Sequence, residues 1–473
     1  MKKELLKPFV LVGCLIAVTC VAMAYSNREH SSGVAVAPVI GIPQGVLSVN
    51  AKLVQDKIFA GGDGTVTLAL TLSADDVSDE PGATAQNVDM VFVLDRSGSM
   101  QGQKLRDARS AVLKLLAKLS DKDRFGLVSY ANGVTKHSAL VNVTAYERKR
   151  LEAVIRGINA GGGTNLGAGL QTGINVLLAA RNNGNIGKVL LISDGLANQG
   201  VTDPFALGSM ASLAVEKAFA VSTVGVGNDF NELLMTKLAD RGAGSYYYME
   251  NPNSFAGIFE KEFNHTRMVA AGAVAIEVPL ADGVTLVNAS GFPIEQRDGY
   301  AVFHPGDIQA GQSRKLFLTF QIPTDRERKF ELNGIRVRYL HKDRTYIAAL
   351  SEPLHIACVK DKKAVISSIK PQVWEKKVLQ DDYNKLVEEV AADVKRGNEQ
   401  DALKKINHYK NEQELANRVI KSPRVAANLD IDVGGLEDMV TETFKGDRQT
   451  VQLKQKRNAK ALQYEGYLKR RAK

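Results

Sequence analysis

Five small side chains that carry oxygen atoms stand out in three short stretches of this 473-residue chain. They are Asp95, Ser97, Ser99, Thr164 and Asp194. A hard divalent cation such as Mg²⁺ binds an octahedron of oxygen atoms and keeps some of its waters. Two carboxylates and three hydroxyls can supply most of that octahedron and leave one position for a carboxylate from another molecule. The sequence therefore predicts a divalent metal site with an open position.

The spacing of these residues favours convergence on one ion. Ser97 and Ser99 flank Gly98, which lets the backbone fold sharply so that both hydroxyls point to one side. Thr164 follows three consecutive glycines, and a glycine follows the aspartate of the third stretch, so these loops can also approach the ion closely. Each stretch alone is also consistent with a helix cap. The three together, in this order, favour a metal site.

Regular alternation of strand-like and helical patterns over residues 88–264 predicts the elements that position this site. The run VDMVFVL is apolar at nearly every position, as expected for a strand with helices on both faces. A helical pattern of apolar residues follows over Lys104–Leu119. Such alternation is typical of a doubly wound, Rossmann-like parallel sheet, in which ligands bind outside the carboxyl ends of the strands. Asp95 and Asp194 both come directly after strand-like runs and fall at that edge.

Residues 88–264 resemble a von Willebrand factor type A domain. Their five oxygen-bearing residues match the metal ion-dependent adhesion site of that family. The resemblance implies that Ser97, Ser99 and Thr164 bind the ion directly. It also implies that Asp95 and Asp194 act directly or through water. An Asp or Glu of a protein partner would then complete the octahedron around Mg²⁺, or around Mn²⁺ or Ca²⁺.

Two further expectations concern the surroundings of the metal site. Arg96 and Met100 flank the first loop, and we expect them to form the rim of the partner-binding surface. In related domains, engagement of the ligand can shift the last helix. The corresponding segment in this chain is Asn253–Phe263.

Alternating apolar patterns on both sides of the α/β stretch predict a β-sandwich. Residues 45–87 contain two or three strand-like runs, which are too few to bury a core alone. Residues 265–360 contain six short runs with turn residues between them. We therefore predict that both segments complete one sandwich into which the α/β domain is inserted. This organisation resembles bacterial secreted proteins labelled as calcium-activated chloride channel homologues, and also the heavy chains of inter-alpha-trypsin inhibitor.

The C-terminal part of the chain, residues 361–473, has a helical pattern. An amphipathic stripe of apolar residues extends from Trp374 to Val394. Residues 445–473 contain ten lysines and arginines but only two acidic residues. This basic tail is consistent with a solvated, partly frayed helix. Alternatively, it contacts an anionic surface of the cell envelope.

The N-terminus has the pattern of an export signal. A basic segment is followed by an apolar run and by Ala22-Met23-Ala24, a small-residue cleavage site. We expect a signal peptide at residues 1–24 and a flexible leader at residues 25–44, which would place the protein in the periplasm, in the cell envelope or outside the cell. The alternative is an uncleaved, single-pass membrane anchor.

Export would leave Cys358 as the sole cysteine, so no intramolecular disulfide is expected, and its strand-like surroundings predict a core residue. The formal net charge of the chain is +9. Cleavage would remove Lys2, Lys3, Lys7 and Glu4, and so would lower this net charge to about +7.

These observations predict a metal-dependent adhesion or assembly module of the bacterial cell envelope that captures an acidic residue of a protein partner. The alternative is a structural scaffold in which the metal only stabilises the fold. A hydrolase is disfavoured, because Ser97 stands where aspartyl phosphatases of the haloacid dehalogenase type carry a second acidic residue. No Lys-Ser/Thr pair follows the glycines of residues 161–163, which excludes a phosphate-binding loop there. We expect neither an enzyme nor a nucleic-acid partner.

Overall fold

The computed structural model describes residues 45–76, 86–179, 185–250, 255–281, 283–342 and 344–471. The predicted signal peptide and leader lie outside these residues. The first described segment contains three strands, β1 (Leu47–Leu53), β2 (Lys57–Phe59) and β3 (Thr65–Ala74). The strands β1 and β3 pair antiparallel, as the alternation predicts, whereas β2 pairs with a strand far along the chain.

A six-stranded sheet forms the centre of the α/β domain. Its strands are β4 (Val88–Asp95), β5 (Arg124–Tyr130), β6 (Val134–Asn142), β7 (Ile186–Ser193), β8 (Phe219–Val226) and β9 (Ala243–Met249). They lie in the order β6-β5-β4-β7-β8-β9. All pairs are parallel except β5–β6, which is an antiparallel pair at the edge of the sheet. The short turn between β5 and β6 is the reason, because a parallel pair needs a much longer crossover.

Helices cover both faces of this sheet. They are α1 (Gln103–Lys118), α2 (Ala145–Arg156), α3 (Leu166–Ala179), α4 (Pro204–Glu216), α5 (Glu232–Arg241) and α6 (Phe255–Arg267). One apolar core lies between the sheet and α1, α2 and α6, and a second lies between the sheet and α3, α4 and α5. Every residue of β4 is buried as a result. Asp203 caps α4 by accepting a hydrogen bond from the backbone N–H of Ala206 at 2.7 Å. The doubly wound α/β fold is thus confirmed.

The chain then returns to β-structure. The strands are β10 (Val269–Pro279), β11 (Thr285–Ala289), β12 (Glu295–Arg297), β13 (Tyr300–Phe303), β14 (Ile308–Gln309), β15 (Ser313–Gln321), β16 (Arg328–Leu332), β17 (Arg336–His341), β18 (Arg344–Ala349) and β19 (Leu354–Val359). Six runs were expected here. The strands are more numerous partly because a turn at Gly334, whose φ is +73°, divides β16 from β17.

Strands from before and after the α/β domain share one sheet. Its order is β1-β3-β15-β11, and β3 pairs antiparallel with β15 along its length. A second sheet has the order β12-β13-β10-β17-β18, and a third has the order β16-β19-β2. One apolar core joins residues of all three sheets, and Cys358 is buried within it, as predicted. The α/β domain is therefore inserted into a β-structure that neither flanking segment completes alone.

The two connections of the inserted domain run side by side. The backbone N–H of Gln86, just before β4, donates to the carbonyl of Arg267 at the end of α6 (3.4 Å). The side-chain amide of Gln86 donates to the carbonyl of Val269 in β10 (3.1 Å). Entry and exit of the chain are thus tied together at the amino end of β4.

A helical region follows, as predicted. Its helices are α7 (Lys362–Ser367), α8 (Pro371–Lys377), α9 (Tyr383–Arg396), α10 (Glu399–Ile420), α11 (Pro423–Ala427), α12 (Gly434–Thr443) and α13 (Arg448–Arg470). The apolar stripe that begins at Trp374 is buried in a fourth core among these helices. Across the described part of the chain, no helix is both long enough and apolar enough to cross a bilayer.

The basic tail forms α13, which is bound to the α/β domain. Nζ of Lys460 lies 2.8 Å from a carboxylate oxygen of Glu232, and both side chains are buried. Arg470 and Arg471 both pair with Asp240, at 2.9 and 3.0 Å. The interpretation of this tail as a solvated, frayed helix is therefore wrong for the face that carries these residues. Acidic residues of α5, distant in sequence, neutralise part of its charge.

A buried carboxylate anchors α6. Glu262 accepts hydrogen bonds from Ser222 in β8 and from the hydroxyl of Tyr247 in β9 (2.5 Å), and lies 3.0 Å from Nζ of Lys188 in β7. Burial opposes ionisation of Glu262, but Lys188 and the two hydroxyls outweigh it and lower its pKa. Lys188 also lies 3.9 Å from Asp307 of the β-sandwich. One cluster thus links α6, three strands and the neighbouring domain.

Replacing Glu262 by Gln should lower the free energy of unfolding by about 3 kcal/mol, because Lys188 would keep its buried charge without its nearest counter-charge. Urea titration of the purified protein measures this change. The matched control is Glu260→Gln on the same helix, since Glu260 makes a largely exposed pair with Lys118. We expect that control to change the free energy by less than about 1 kcal/mol. Equal effects of the two substitutions would contradict the anchoring role of Glu262.

Candidate functional site

The candidate site lies at the carboxyl edge of the central sheet. Asp95 is the last residue of β4, and Asp194 directly follows β7. Because β4 and β7 are neighbouring parallel strands, these two aspartates lie side by side, as the pattern predicts. Both carboxylates are fully buried.

Two glycine-containing loops lie against each other beside these aspartates. The backbone N–H of Gly98 donates to the carbonyl of Gly162 (2.9 Å), and that of Gly161 donates to the carbonyl of Arg96 (2.8 Å). Gly162 has φ of +88°, and a Cβ at this position would approach the side chain of Asn132 to 3.1 Å. A glycine is therefore required where the second loop meets the first.

The hydroxyl groups of the first loop reach Asp194. The hydroxyl oxygens of Ser97 and Ser99 are 3.0 Å apart, and the Ser99 hydroxyl donates to Oδ1 of Asp194 at 2.7 Å. Asp95 joins them by accepting a hydrogen bond from the backbone N–H of Ser97 at 2.8 Å. Four of the five predicted residues thus form one hydrogen-bonded cluster.

Thr164, the fifth predicted residue, faces the same cluster. A Cβ added to Gly195 would lie 3.4 Å from the hydroxyl oxygens of both Thr164 and Ser99. The two hydroxyls therefore approach one point from different loops, and the glycine after Asp194 leaves that point open. Of the five residues only Ser99 is exposed. The structure brings all five predicted side chains together.

Three supporting residues were not singled out from the sequence. The hydroxyl of Ser193 donates to Oδ2 of Asp95 at 2.8 Å. The side-chain oxygen of Asn198 accepts a hydrogen bond from the backbone N–H of Thr164 at 2.9 Å. Nζ of Lys104 lies 2.6 Å from Oδ2 of Asp194. Ser193 ends the strand before Asp194, a position that could have revealed it, whereas Asn198 and Lys104 depend on how the loops fold back.

Charge in this site is unevenly balanced. Burial raises the pKa of Asp95 to about 6, although hydrogen bonds from Ser97 and Ser193 favour its ionised form, and nearby Asp194 adds to the increase. Lys104 supplies a positive charge to Asp194 on one side. A second cation near Asp95 would favour its ionised form.

The chemistry of the oxygen donors fits a hard divalent cation. Two buried carboxylates and three hydroxyls are converging oxygen ligands of the kind that Mg²⁺ and Ca²⁺ prefer. Among the described residues, no cluster of three or more His, Cys, Asp or Glu side chains could hold a metal ion. A metal at this site would therefore depend on the hydroxyl oxygens of Ser97, Ser99 and Thr164.

The structure contradicts one of the two residues predicted for the rim. Arg96 is half-buried beside the first loop, whereas Met100 is completely buried and packs in the core under α1. Met100 therefore cannot contact a partner, because the turn of 3₁₀-helix after Ser97 directs it inward. Leu196, two residues after Asp194, is 55% exposed and lies at the surface instead.

Comparison with known proteins identifies the α/β domain. The von Willebrand factor type A domain family matches residues 89–261. A solved structure described as von Willebrand factor type A from Catenulispora acidiphila has a TM-score of 0.65 and 16% identity, over 87% of this chain and 93% of that one. The ArnB paralog VWA2 from Sulfolobus acidocaldarius has a TM-score of 0.54 and 17% identity, over 88% and 98% of the two chains. The protein thus contains a von Willebrand factor type A domain.

Curated relatives match part of this chain. The chain is 31% identical over 191 residues to the uncharacterized protein YfbK of Escherichia coli, which is 40% of this chain and 33% of YfbK. It is 29% identical over 164 residues to human inter-alpha-trypsin inhibitor heavy chain H4, which is 33% of this chain and 18% of that protein. The uncharacterized protein sll0103 of Synechocystis is 24% identical over 56% of this chain and 65% of its own length. The chain thus covers less than two thirds of each of these relatives.

Proposed function

We propose that the von Willebrand factor type A domain binds a divalent cation and uses it to capture an Asp or Glu side chain of a partner protein. The ligands are the five oxygen-bearing residues Asp95, Ser97, Ser99, Thr164 and Asp194. The observation that carries the proposal is the convergence of these side chains from three loops at the open edge of the sheet. The proposed ion is Mg²⁺, with Mn²⁺ and Ca²⁺ as alternatives of the same ligand preference.

The charges around the site support capture of an acidic group. Lys104 already pairs with Asp194, so the two carboxylates do not both remain available to balance a bound dication. The three hydroxyl ligands are neutral. A bound ion would therefore retain net positive charge, which favours an added carboxylate. The exposed side chains of Ser99 and Leu196 leave this part of the surface accessible to a partner.

The proposed setting is the bacterial cell envelope, and it rests on the export signal predicted at the N-terminus. The basic tail is proposed as a second contact, with an anionic envelope surface, through those of its cations that face away from the α/β domain. Lys460, Arg470 and Arg471 are already engaged within the protein. We propose a binding protein and not an enzyme. The close pair formed by Ser129 and His137 (2.7 Å) does not favour catalysis, because Ser129 is fully buried in β5.

A structural scaffold is the second candidate. In that case the cation would stabilise the fold and partner capture would not depend on it. The buried ion pairs that join α13 to α5 favour this candidate, since they are typical of a rigid assembly of domains and not of an isolated adhesive module. Metal binding and partner capture must therefore be measured separately.

Mg²⁺ binding tests the proposed ligands. Thr164→Val keeps the shape of the side chain and removes only its hydroxyl, so it should weaken Mg²⁺ binding by about tenfold or more. Isothermal titration calorimetry on the full chain measures the dissociation constant. The control is Thr172→Val, since the Thr172 hydroxyl donates to the carbonyl of Ala168 within α3. Mg²⁺ binding that is unchanged by Thr164→Val would remove Thr164 from the ligands.

Partner capture separates adhesion from a structural role of the ion. Immobilised wild-type protein should capture an envelope protein in Mg²⁺ and release it in EDTA, and Thr164→Val should capture less. Peptide mass spectrometry of the captured material measures this. Circular dichroism of each sample confirms that the fold is retained. Identical capture with and without EDTA, by folded protein that binds Mg²⁺, would favour the scaffold.

Lys104 should oppose cation binding. Lys104→Gln removes a positive charge that lies 2.6 Å from Asp194, so Mg²⁺ should bind at least about threefold more tightly. The same calorimetric titration measures this increase, which should diminish at high salt. Lys118→Gln, on the same helix but paired with Glu260, is the control. Equal affinities of the two variants would show that Lys104 does not compete with the ion.

A further inference from the structure

A second polar cavity lies away from the proposed cation site. It has a volume of about 260 Å³ and lies where the α/β domain, the β-sandwich and α13 meet. The α/β domain contributes Lys188, the sandwich contributes Asp307 and Arg314, and α13 contributes Tyr467 and then Arg471 just beyond its end. Three buried or nearly buried cations and one carboxylate thus line the same space.

Arg314 is buried without a direct acidic partner. Its two terminal nitrogens donate to the backbone carbonyls of Pro305 (2.6 Å) and Asp307 (3.1 Å). Its Nε is also buried and has no hydrogen-bond partner, and no carboxylate of the described residues lies within 4 Å of this guanidinium. A buried charge of this kind is costly unless an anion compensates it.

Arg471 brings a second guanidinium to the same place. One of its terminal nitrogens donates to the carbonyl of Gly244, another pairs with Asp240 at 3.0 Å, and its Nε is buried without a partner. A Cβ added to Gly306 would lie 3.2 Å from Nη1 of Arg471 and 3.7 Å from Nη1 of Arg314. The two guanidinium groups therefore approach one point.

The nearby carboxylates do not remove this excess of positive charge. Lys188 is engaged by Glu262 at 3.0 Å and lies 3.9 Å from Asp307. Burial raises the pKa of Asp307. Burial, together with the charge of Arg471, lowers the pKa of Arg314 to about 10. The lowered pKa of Arg314 has the direction expected for a cation that is buried next to another cation.

We infer that this cavity binds a tetrahedral oxyanion of the phosphate type, held between the guanidinium groups of Arg314 and Arg471. Planar guanidinium groups present pairs of N–H donors that match phosphate oxygens, and two of them bind such an ion better than lysines do. The cavity has room for a phosphate with several waters or for a small phosphate ester. The ligand would link the sandwich to α13 and would stabilise their contact with the α/β domain.

The test is binding of inorganic phosphate to the full chain in a buffer with EDTA, which keeps the proposed cation site out of the measurement. Thermal unfolding should shift upward saturably with phosphate but not with chloride at the same ionic strength. Arg314→Gln should weaken phosphate binding by tenfold or more. The control is Arg297→Gln, because Arg297 is an exposed sandwich arginine paired with Glu216. A saturable shift that Arg314→Gln leaves intact would overturn the inference.

A second measurement does not depend on the folding of a variant. In ¹⁵N spectra of the wild-type protein, phosphate should shift arginine Nε–Hε resonances, since two buried Nε atoms would gain or approach an acceptor. Absence of any such change at millimolar phosphate would overturn the inference. Repeating the titration with glycerol phosphate separates the two sources of the ligand. Tighter binding of the ester assigns an organic phosphate, and tighter binding of inorganic phosphate assigns the free ion.

Discussion

The placement of two buried carboxylates at the ends of adjacent parallel strands is the constraint on which the candidate site depends. Asp95 and Asp194 would repel each other if both were ionised, and both are fully buried. The fold keeps them there with hydrogen bonds from serines and with one ion pair from Lys104. Such an arrangement concentrates negative charge at a point that loops can close over, and it is the physical basis of the proposed cation binding.

Much of this arrangement could be predicted because it follows from local patterns. The buried run before Asp95 fixes a strand, the direction of that strand fixes the edge at which Asp95 lies, and glycines allow the loops to approach. The same kind of pattern revealed the inserted domain and the helical region. Individual side-chain contacts outside the five predicted residues were not predicted. Lys104 reaches Asp194 only because α1 begins beside β7, and the burial of Met100 depends on a turn that no local pattern specifies.

The contacts of the basic tail also could not be predicted from its local sequence. A run of lysines and arginines favours solvent when it is considered alone. In the folded protein, α13 meets Glu232 and Asp240 on α5, and Tyr467 accepts a hydrogen bond from the backbone N–H of Tyr246 in the edge strand β9 at 2.7 Å. The helix therefore covers an open edge of the central sheet. Charge in the tail contributes to the assembly of domains, a role that depends on partners more than 200 residues away.

The pairing of the two domain connections beside Gln86 has a mechanical consequence. A partner held at the cation site would pull on the carboxyl end of β4, whereas the chain enters and leaves the domain at the opposite end of that strand. Tension would then act along β4, parallel to its neighbours β5 and β7. In this direction the backbone hydrogen bonds on both sides of the strand are sheared together and do not open one after another. An inserted domain of this geometry is built to resist a lengthwise force.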